Sequence, residues 1–201
     1  MGKIVISTNA TLDGVVQDPD GHEGFDRGGW FARFGGEDLE EWAEVELDEA
    51  RRTEALLLGR RSDDWFAARW TSRTGEWADR LNALPKYVVS STLDGPGWTN
   101  ATVLTGDVVD EVTKLKQRLD GDIVVYASCE LARTLLDHDL VDEVRLVVFP
   151  VVLGGGGRLF GETRASKPLR LVASRVIGGG LAFLTYELAR DPRPTAAADA
   201  G

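Results

Sequence analysis

The block "ALLL" at Ala55–Leu58 is apolar at four successive positions and stops at Gly59, beyond which the chain turns polar at Arg60 and Arg61. A run this short and without alternation suits a strand covered on both faces. Past the glycine, Ser62 is of a residue type that caps helices, and Trp65, Phe66 and Arg69 follow on what reads as that helix. The same step recurs where "DIVVYAS" (Asp122–Ser128) runs into "SCELARTLLDHDL", with Ser128 as the expected cap and Leu131 and Leu135 facing inward. Repeated strand-to-helix steps call for a parallel sheet with helices across its faces, because parallel neighbours cannot be joined by a tight turn.

The remaining segments extend this pattern and then change it. "KIVISTN" (Lys3–Asn9) reads as an opening strand, and "PKYVVSST" (Pro85–Thr92) as another buried strand that ends in three hydroxyls. "GDVVDEVTKLKQRL" is an amphipathic helix capped by Asp107, with Val108, Val112, Leu115 and Leu119 inward. From Asp38 to about Arg52 a helix places Leu39, Trp42, Ala43, Leu47 and Ala50 on one side, and at 100° per residue Glu46 falls inside that apolar arc. A carboxylate there is unusual. The last third holds three strand-like segments, "VDEVRLVVFPVVL", "PLRLVASRVI" and "LAFLTYELA", the last two joined by Gly178–Gly180 as an antiparallel hairpin. The expected architecture is therefore an α/β mixed sheet, mostly parallel with a C-terminal antiparallel hairpin and helices on both faces. Residues 1–190 are read as one domain and 191–201, which lack an apolar pattern, as a mobile tail.

Composition narrows the partners. A chain of 201 residues with 43% hydrophobic content can bury a full sheet and its helices. Its formal charge of −10 opposes general binding to nucleic acid or an anionic membrane, which gives a local pair of arginines more meaning. At a strand-to-helix crossing, helix-start N–H groups and nearby arginines favour an anion, although solvated loop residues would look the same. The lone Cys129 excludes an internal disulfide framework and suits a reducing compartment; with no signal-like segment and no long apolar span, a cytoplasmic protein is expected. Neither His22 nor His138 has metal-ligand spacing, so no metal is expected. "GGGGRLFG" (Gly154–Gly161) lacks the lysine of a phosphate loop and reads as a mobile connection. The long segment from Asp13 to Asp38 is rich in glycine and aspartate yet carries Phe25, Trp30, Phe31 and Phe34, as lids and binding loops do.

Four motifs together, "TLDGVV", "LLLGRRSDDWF", "LPKYVVSSTL" and "LVDEVRLVVFPVVLGGGGRLFG", resemble the dihydrofolate reductase-like family that includes the C-terminal reductase domain of bacterial riboflavin biosynthesis enzymes. The likeness runs from Lys3 to about Ala189. It implies an eight-stranded mixed sheet that binds NADPH along the carboxyl ends of its parallel strands. On this resemblance Gly59, Arg60, Arg61 and Ser62 hold cofactor phosphates, and Ser90, Ser91 and Thr92 flank the adenosine 2′-phosphate. Ala127, Ser128, Cys129, Glu130 and Leu131 occupy the turn over the pyrophosphate, which in the family is often glycine-rich.

A second departure concerns the acid that classical dihydrofolate reductases carry on the first helix. Counting back from Gly59 without a gap places Ala43 there, and Glu46, one turn later, is the nearest carboxyl able to do similar work or else to pair with an arginine. Asp13, Trp30, Phe31 and Trp70 are the expected substrate contacts, although the aromatic residues could equally close the core. The resemblance implies an NADPH-dependent oxidoreductase acting on a small heterocyclic, pterin- or pyrimidine-like substrate, working as a homodimer. The alternative is a relative that binds nucleotide without catalysis.

Overall fold

A computed structural model of the chain describes residues 1–161, 163 and 165–189, so the expected tail at 191–201 lies outside the described residues. The strands are β1 (Lys3–Thr11), β2 (Thr53–Gly59), β3 (Lys86–Val89), β4 (Ala101–Leu104), β5 (Asp122–Tyr126), β6 (Glu143–Phe149), β7 (Leu169–Ile177) and β8 (Leu181–Leu188). They form one sheet in the order β4-β3-β2-β5-β1-β6-β8-β7. The first six run parallel, and β8 lies antiparallel between β6 and β7, as the alternation followed by the hairpin predicts.

Six helices accompany the sheet: α1 (Trp30–Gly35), α2 (Asp38–Arg52), α3 (Arg60–Trp70), α4 (Glu76–Ala83), α5 (Val108–Arg118) and α6 (Cys129–Asp137). Alternation along β1 divides the core between the two faces. Ile4 and Ile6 pack with Val112 and Leu115 of α5 and Leu131 and Leu135 of α6. Val5 faces the other way, where Leu56, Leu58 and Val124 meet Ala50 of α2 and Phe66 of α3. Farther along that face, Trp30 and Trp42 close over Val147 and Phe149. All four residues of the "ALLL" block are fully buried, as a central parallel strand requires.

Several local expectations are revised. The aromatic part of the long early loop folds as α1, because Trp30 and Phe31 both pack on Phe149 at 5.2 Å between ring centroids. Helix α4 and strand β4 lack a strong pattern of their own and form against neighbours, β4 pairing with β3 from Lys86↔Ala101 to Val89↔Leu104. The expected strand at Pro85–Thr92 stops at Val89, and that at Val141–Leu153 contracts to Glu143–Phe149. Asp107 does cap α5, accepting from the Val109 and Asp110 N–H groups at 2.9 and 3.2 Å.

Helix α2 is tied to the far hairpin. The Gly178 N–H donates to Glu41 at 2.8 Å, and those of Gly179 and Gly180 donate to Asp38 at 2.9 and 2.8 Å. Gly178 has φ 56°, and a Cβ there would lie 1.9 Å from an Asp38 oxygen, so both conformation and space require glycine.

Candidate functional site

The central strand β5 ends at Tyr126, paired with Ser7, while β1 continues to Thr11, leaving a crevice above β5 bounded by the two strand-to-helix crossings. These crossings are stitched to each other. The Gly59 N–H donates to Ser128 Oγ at 3.0 Å, and the Ser128 N–H donates to Ser62 Oγ at 3.0 Å. Neither serine therefore caps its own helix as the sequence suggests; α3 begins at Arg60, ahead of Ser62, and each hydroxyl serves the opposite crossing. Ala127 and Ser128 adopt φ of 50° and 48°, a left-handed pair that glycine would take freely and that these residues hold at some cost. A Cβ on Gly59 would meet only Ser128 Oγ, at 3.9 Å, so the backbone there is open to approach.

One side of the crevice carries the two exposed arginines. Arg60 and Arg61 are exposed, and Arg60 Nη1 donates to Thr92 Oγ1 at 3.2 Å, joining the first turn of α3 to the segment after β3. Asp64 lies 3.9 Å from Arg60 Nε. Ser91 and Thr92 are exposed, whereas the Ser90 hydroxyl accepts from the N–H groups of Thr92 and Leu93 and so shapes the turn. On the α6 side Ala127 and Glu130 are exposed and Cys129 is half-buried, with burial pushing its thiol above the ordinary value against the pull of Arg133. Leu131 belongs to the core.

The other side is acidic and buried. Glu49, one turn beyond Glu46 on α2, is 4% exposed; it accepts from the Tyr126 hydroxyl at 2.8 Å and from Arg145 Nη1 at 3.0 Å. Arg145 also donates to Asp122 at 2.8 Å and to Glu143 at 2.6 Å. Burial alone would lower the Arg145 pKa, but Glu49 first, then Asp122 and Glu143, outweigh it and raise it. Tyr126 is held well above an ordinary phenol by burial and then by Glu49, so it stays a neutral donor. Glu46 forms no hydrogen bond or ion pair with the described residues. The pairing with an arginine that the sequence allows for Glu46 is made by Glu49 instead, with Arg145. Burial, and after it the Glu49 charge, push the Glu46 carboxyl from 4.5 up to about 8. The residue as a whole is half-buried. Ala43, the ungapped counterpart, is exposed.

The early loop closes around its own aspartates. The Asp18 carboxylate is buried and accepts from the Glu23 and Phe25 N–H groups at 2.9 and 3.0 Å; burial opposes its ionisation, but those N–H groups prevail and lower its pKa. Asp20 reaches Arg69 of α3 at 3.7 Å. Asp13 accepts from Thr11 Oγ1 at 2.6 Å and from the Leu153 and Gly154 N–H groups at 3.2 and 2.9 Å. The Thr11 bond foremost, then those N–H groups, hold its carboxyl at about 2 against the effect of burial. Asp13 and Gln17, which accepts from the Gly157 N–H at 2.8 Å, thereby pin the glycine-rich connection that the sequence suggests is mobile. Trp30 is completely buried, with its indole N–H donating to the Gln17 carbonyl at 2.9 Å, and Phe31 leans on Phe149. Trp70 ends α3, about 15 Å along the helix from Arg60, against Trp77 at 4.3 Å. Trp30 and Trp70 are thus not brought to the crevice.

Glu49, Tyr126 and Arg145 escape a reading by apolar spacing alone. The buried side of α2 carries Trp42, Val45, Glu49 and Ala50, turned by roughly 60° from the arc of its apolar residues. The available signal was the seven-residue step from Trp42 to Glu49. A cavity of about 930 Å³ lies at the opposite, amino-terminal end of the parallel strands, between Met1, Lys116, Val141 and Leu188, and shares no residue with this site.

A family profile described as "RibD C-terminal domain" matches residues 2–183. The uncharacterized protein YyaP of Bacillus subtilis is 25% identical over 194 residues, which cover 92% of this chain and 94% of that protein. Among solved structures, a putative riboflavin biosynthesis protein from Shewanella sp. PV-4 superposes with a TM-score of 0.74 at 22% identity, covering 94% of this chain and 99% of that one. The dihydrofolate reductase of Enterococcus faecalis, complexed with NADP(H), gives 0.59 at 14% identity over 94% and 97% of the two chains. At these identities the two structures show the fold.

Proposed function

The chain belongs to the RibD C-terminal domain family, and from that premise we propose that it is an NADPH-dependent reductase transferring hydride to a small nitrogen heterocycle of the pterin or pyrimidine kind. The observation that carries the reading is the Glu46 carboxyl, which has no hydrogen-bond or ion-pair partner among the described residues and which burial, then Glu49, push up to about 8, on the helix that covers β5. A carboxylic acid in that state is a proton donor matched to neutral pH.

The residues present fit NADPH. Arg60, Arg61, Ser91 and Thr92 are exposed at one place and suit a 2′-phosphate, and the open backbone at Gly59 and exposed Ala127 leave room for the pyrophosphate. When bound, NADPH supplies the hydride to a ring C=N carbon. Glu46 gives its proton to the ring nitrogen, so that a C–H and an N–H bond form as the C=N double bond is reduced, and the resulting carboxylate regains a proton from water. Tyr126 stays neutral and keeps Glu49 in place.

The proposal includes a homodimer. Strand β7 is the outer strand of the sheet and leaves Leu171, Val172 and Val176 at 50%, 39% and 68% exposure, a surface suited to a second copy. Light scattering is expected to give twice the 21.9 kDa chain mass; monomer alone at micromolar concentration overturns that element.

The functional test titrates NADPH by fluorescence and follows its oxidation with oxidised pterins and aminopyrimidinones. Binding and oxidation, both lost or strongly reduced in the corresponding variants (Arg60→Ala for binding, Glu46→Gln for turnover), are expected. Failure to bind overturns the reading. Binding without oxidation of any substrate in the panel favours the catalytically inactive nucleotide-binding relative, which the exposed Ala43 at the usual acid position would explain.

A further inference from the structure

We infer that Glu49, anchored by Tyr126 and Arg145, is a positioning residue that keeps Glu46 in its protonated form at neutral pH. The inference rests on the reading of Glu46 as the proton donor of the cleft, but the interaction itself is visible without a substrate.

Glu46 and Glu49 are three residues apart on α2 and therefore neighbours on one helix face. Two carboxyls so placed, one buried and the other half-buried, do not readily ionise together. Which one keeps the proton depends on their other partners, and these are unequal. Glu49 has the Arg145 guanidinium at 3.0 Å on one oxygen and the Tyr126 hydroxyl at 2.8 Å on the other, so its charge is compensated. Glu46 has no donor among the described residues.

Among the described residues no other element supplies a cation to Glu46. Arg145 of β6 is divided among Glu49, Asp122 of β5 and Glu143 of β6. Arg80 of α4 donates to the carbonyls of Ala50 and Thr53, and Glu76 of α4 is paired with Arg51. Arg175 of β7 is paired with Glu41, and Arg33 of α1 lies over the Phe34 ring. Tyr126 of β5 faces the pair as a neutral donor. The charge that acts on Glu46 is thus that of Glu49, and the shift of Glu46 to about 8 has burial as its first cause and Glu49 as its second.

The arrangement differs from a simple buried acid. Burial alone would leave Glu46 neutral wherever water is excluded, and would lose its hold when substrate or water entered. A neighbouring anion tethered by the sheet opposes ionisation throughout, so the donor stays loaded while the crevice is open.

The test is a carboxyl carbon NMR titration of the full chain with labelled glutamate, the Glu46 resonance being assigned by its absence in Glu46→Gln. In the wild type, Glu46 is expected to titrate well above the ordinary carboxylate range. In Glu49→Gln the Glu46 midpoint is expected to fall by about one pH unit or more, without reaching the ordinary range because burial remains. In Glu49→Asp, which keeps the charge, it is expected to stay high. A Glu46 midpoint that is ordinary in the wild type, or unmoved in folded Glu49→Gln, overturns the inference. Should Glu49→Gln not fold, Arg145→Lys, which keeps a cation beside Glu49, serves as the second variant: a Glu46 midpoint that is ordinary in the wild type still overturns the inference, and one that stays high in folded Arg145→Lys supports it. If Glu46 behaves as expected but no heterocycle is reduced, the proposed function fails and the electrostatic coupling stands.

Discussion

The two sides of the crevice handle charge in opposite ways. Arg60 is 53% exposed, with its nearest carboxylate at 3.9 Å and one hydroxyl contact, so water already solvates it and its partners are easily exchanged. Arg145 is 15% exposed and bonded to three carboxylates within 3.0 Å. An exposed ion pair contributes little to stability and can give way to an incoming anion, whereas a buried one holds its members in place because separating them leaves an uncompensated charge. The first arrangement suits binding and release of a polyanion. The second suits fixing one protonation state.

The sharpest way to break this contrast is to replace the buried cation. Arg145→Met leaves Glu49, Asp122 and Glu143 without their common partner, and a loss of about 3–5 kcal/mol in unfolding free energy by denaturant titration is expected. A loss comparable to that of an exposed arginine would mean that water screens the network.

Next comes Glu46→Gln. The native pKa of about 8 lies above the ordinary 4.5, so the stability this group contributes is complete below about pH 4.5 and declines as pH rises through 8. The amide does not ionise, and relative to wild type the variant is expected to gain about 2–4 kcal/mol between pH 5 and pH 8. Parallel stability curves for the two proteins over that interval would show an ordinary carboxyl.

On the exposed side the effects are on binding. Arg60→Ala and Arg61→Ala are each expected to weaken NADPH roughly ten- to a hundredfold by fluorescence titration while changing NADH much less, since charge-assisted hydrogen bonds to a phosphate contribute about 1.5–3 kcal/mol. Equal losses for both cofactors would remove the 2′-phosphate from the argument. The smallest effect completes the comparison: the same two substitutions are expected to change unfolding free energy by less than about 0.5 kcal/mol.

Legibility in the sequence follows the range of the interactions involved. The buried "ALLL" block, the Asp107 cap and the Gly178–Gly180 turn are each signalled by residues within a few positions of one another, and each stands where local pattern puts it. The serines illustrate the opposite case. Ser62 and Ser128 read as caps from their immediate neighbours, yet their hydroxyls bond across the crevice to backbone 66 and 69 residues away. Trp30 and Phe31, alike in a glycine-rich loop, are separated only by packing: Trp30 is sealed inside and Phe31 keeps a partly open edge against Phe149.

From its sequence alone, this chain was committed to a mostly parallel sheet closed by an antiparallel hairpin, and to a pair of arginines at a strand-to-helix step, because periodicity, strand length and turn residues act over short stretches of backbone. Tertiary structure decided which of Glu46 and Glu49 is paired. That choice turns on Tyr126 and Arg145, which lie 77 and 96 residues from Glu49 in the chain. Only the register of β5, β1 and β6 aligns Tyr126, Ser7 and Arg145 in one row beneath the helix. Electrostatic pairing depends on distance in space and on exclusion of water, and neither is a property of sequence spacing.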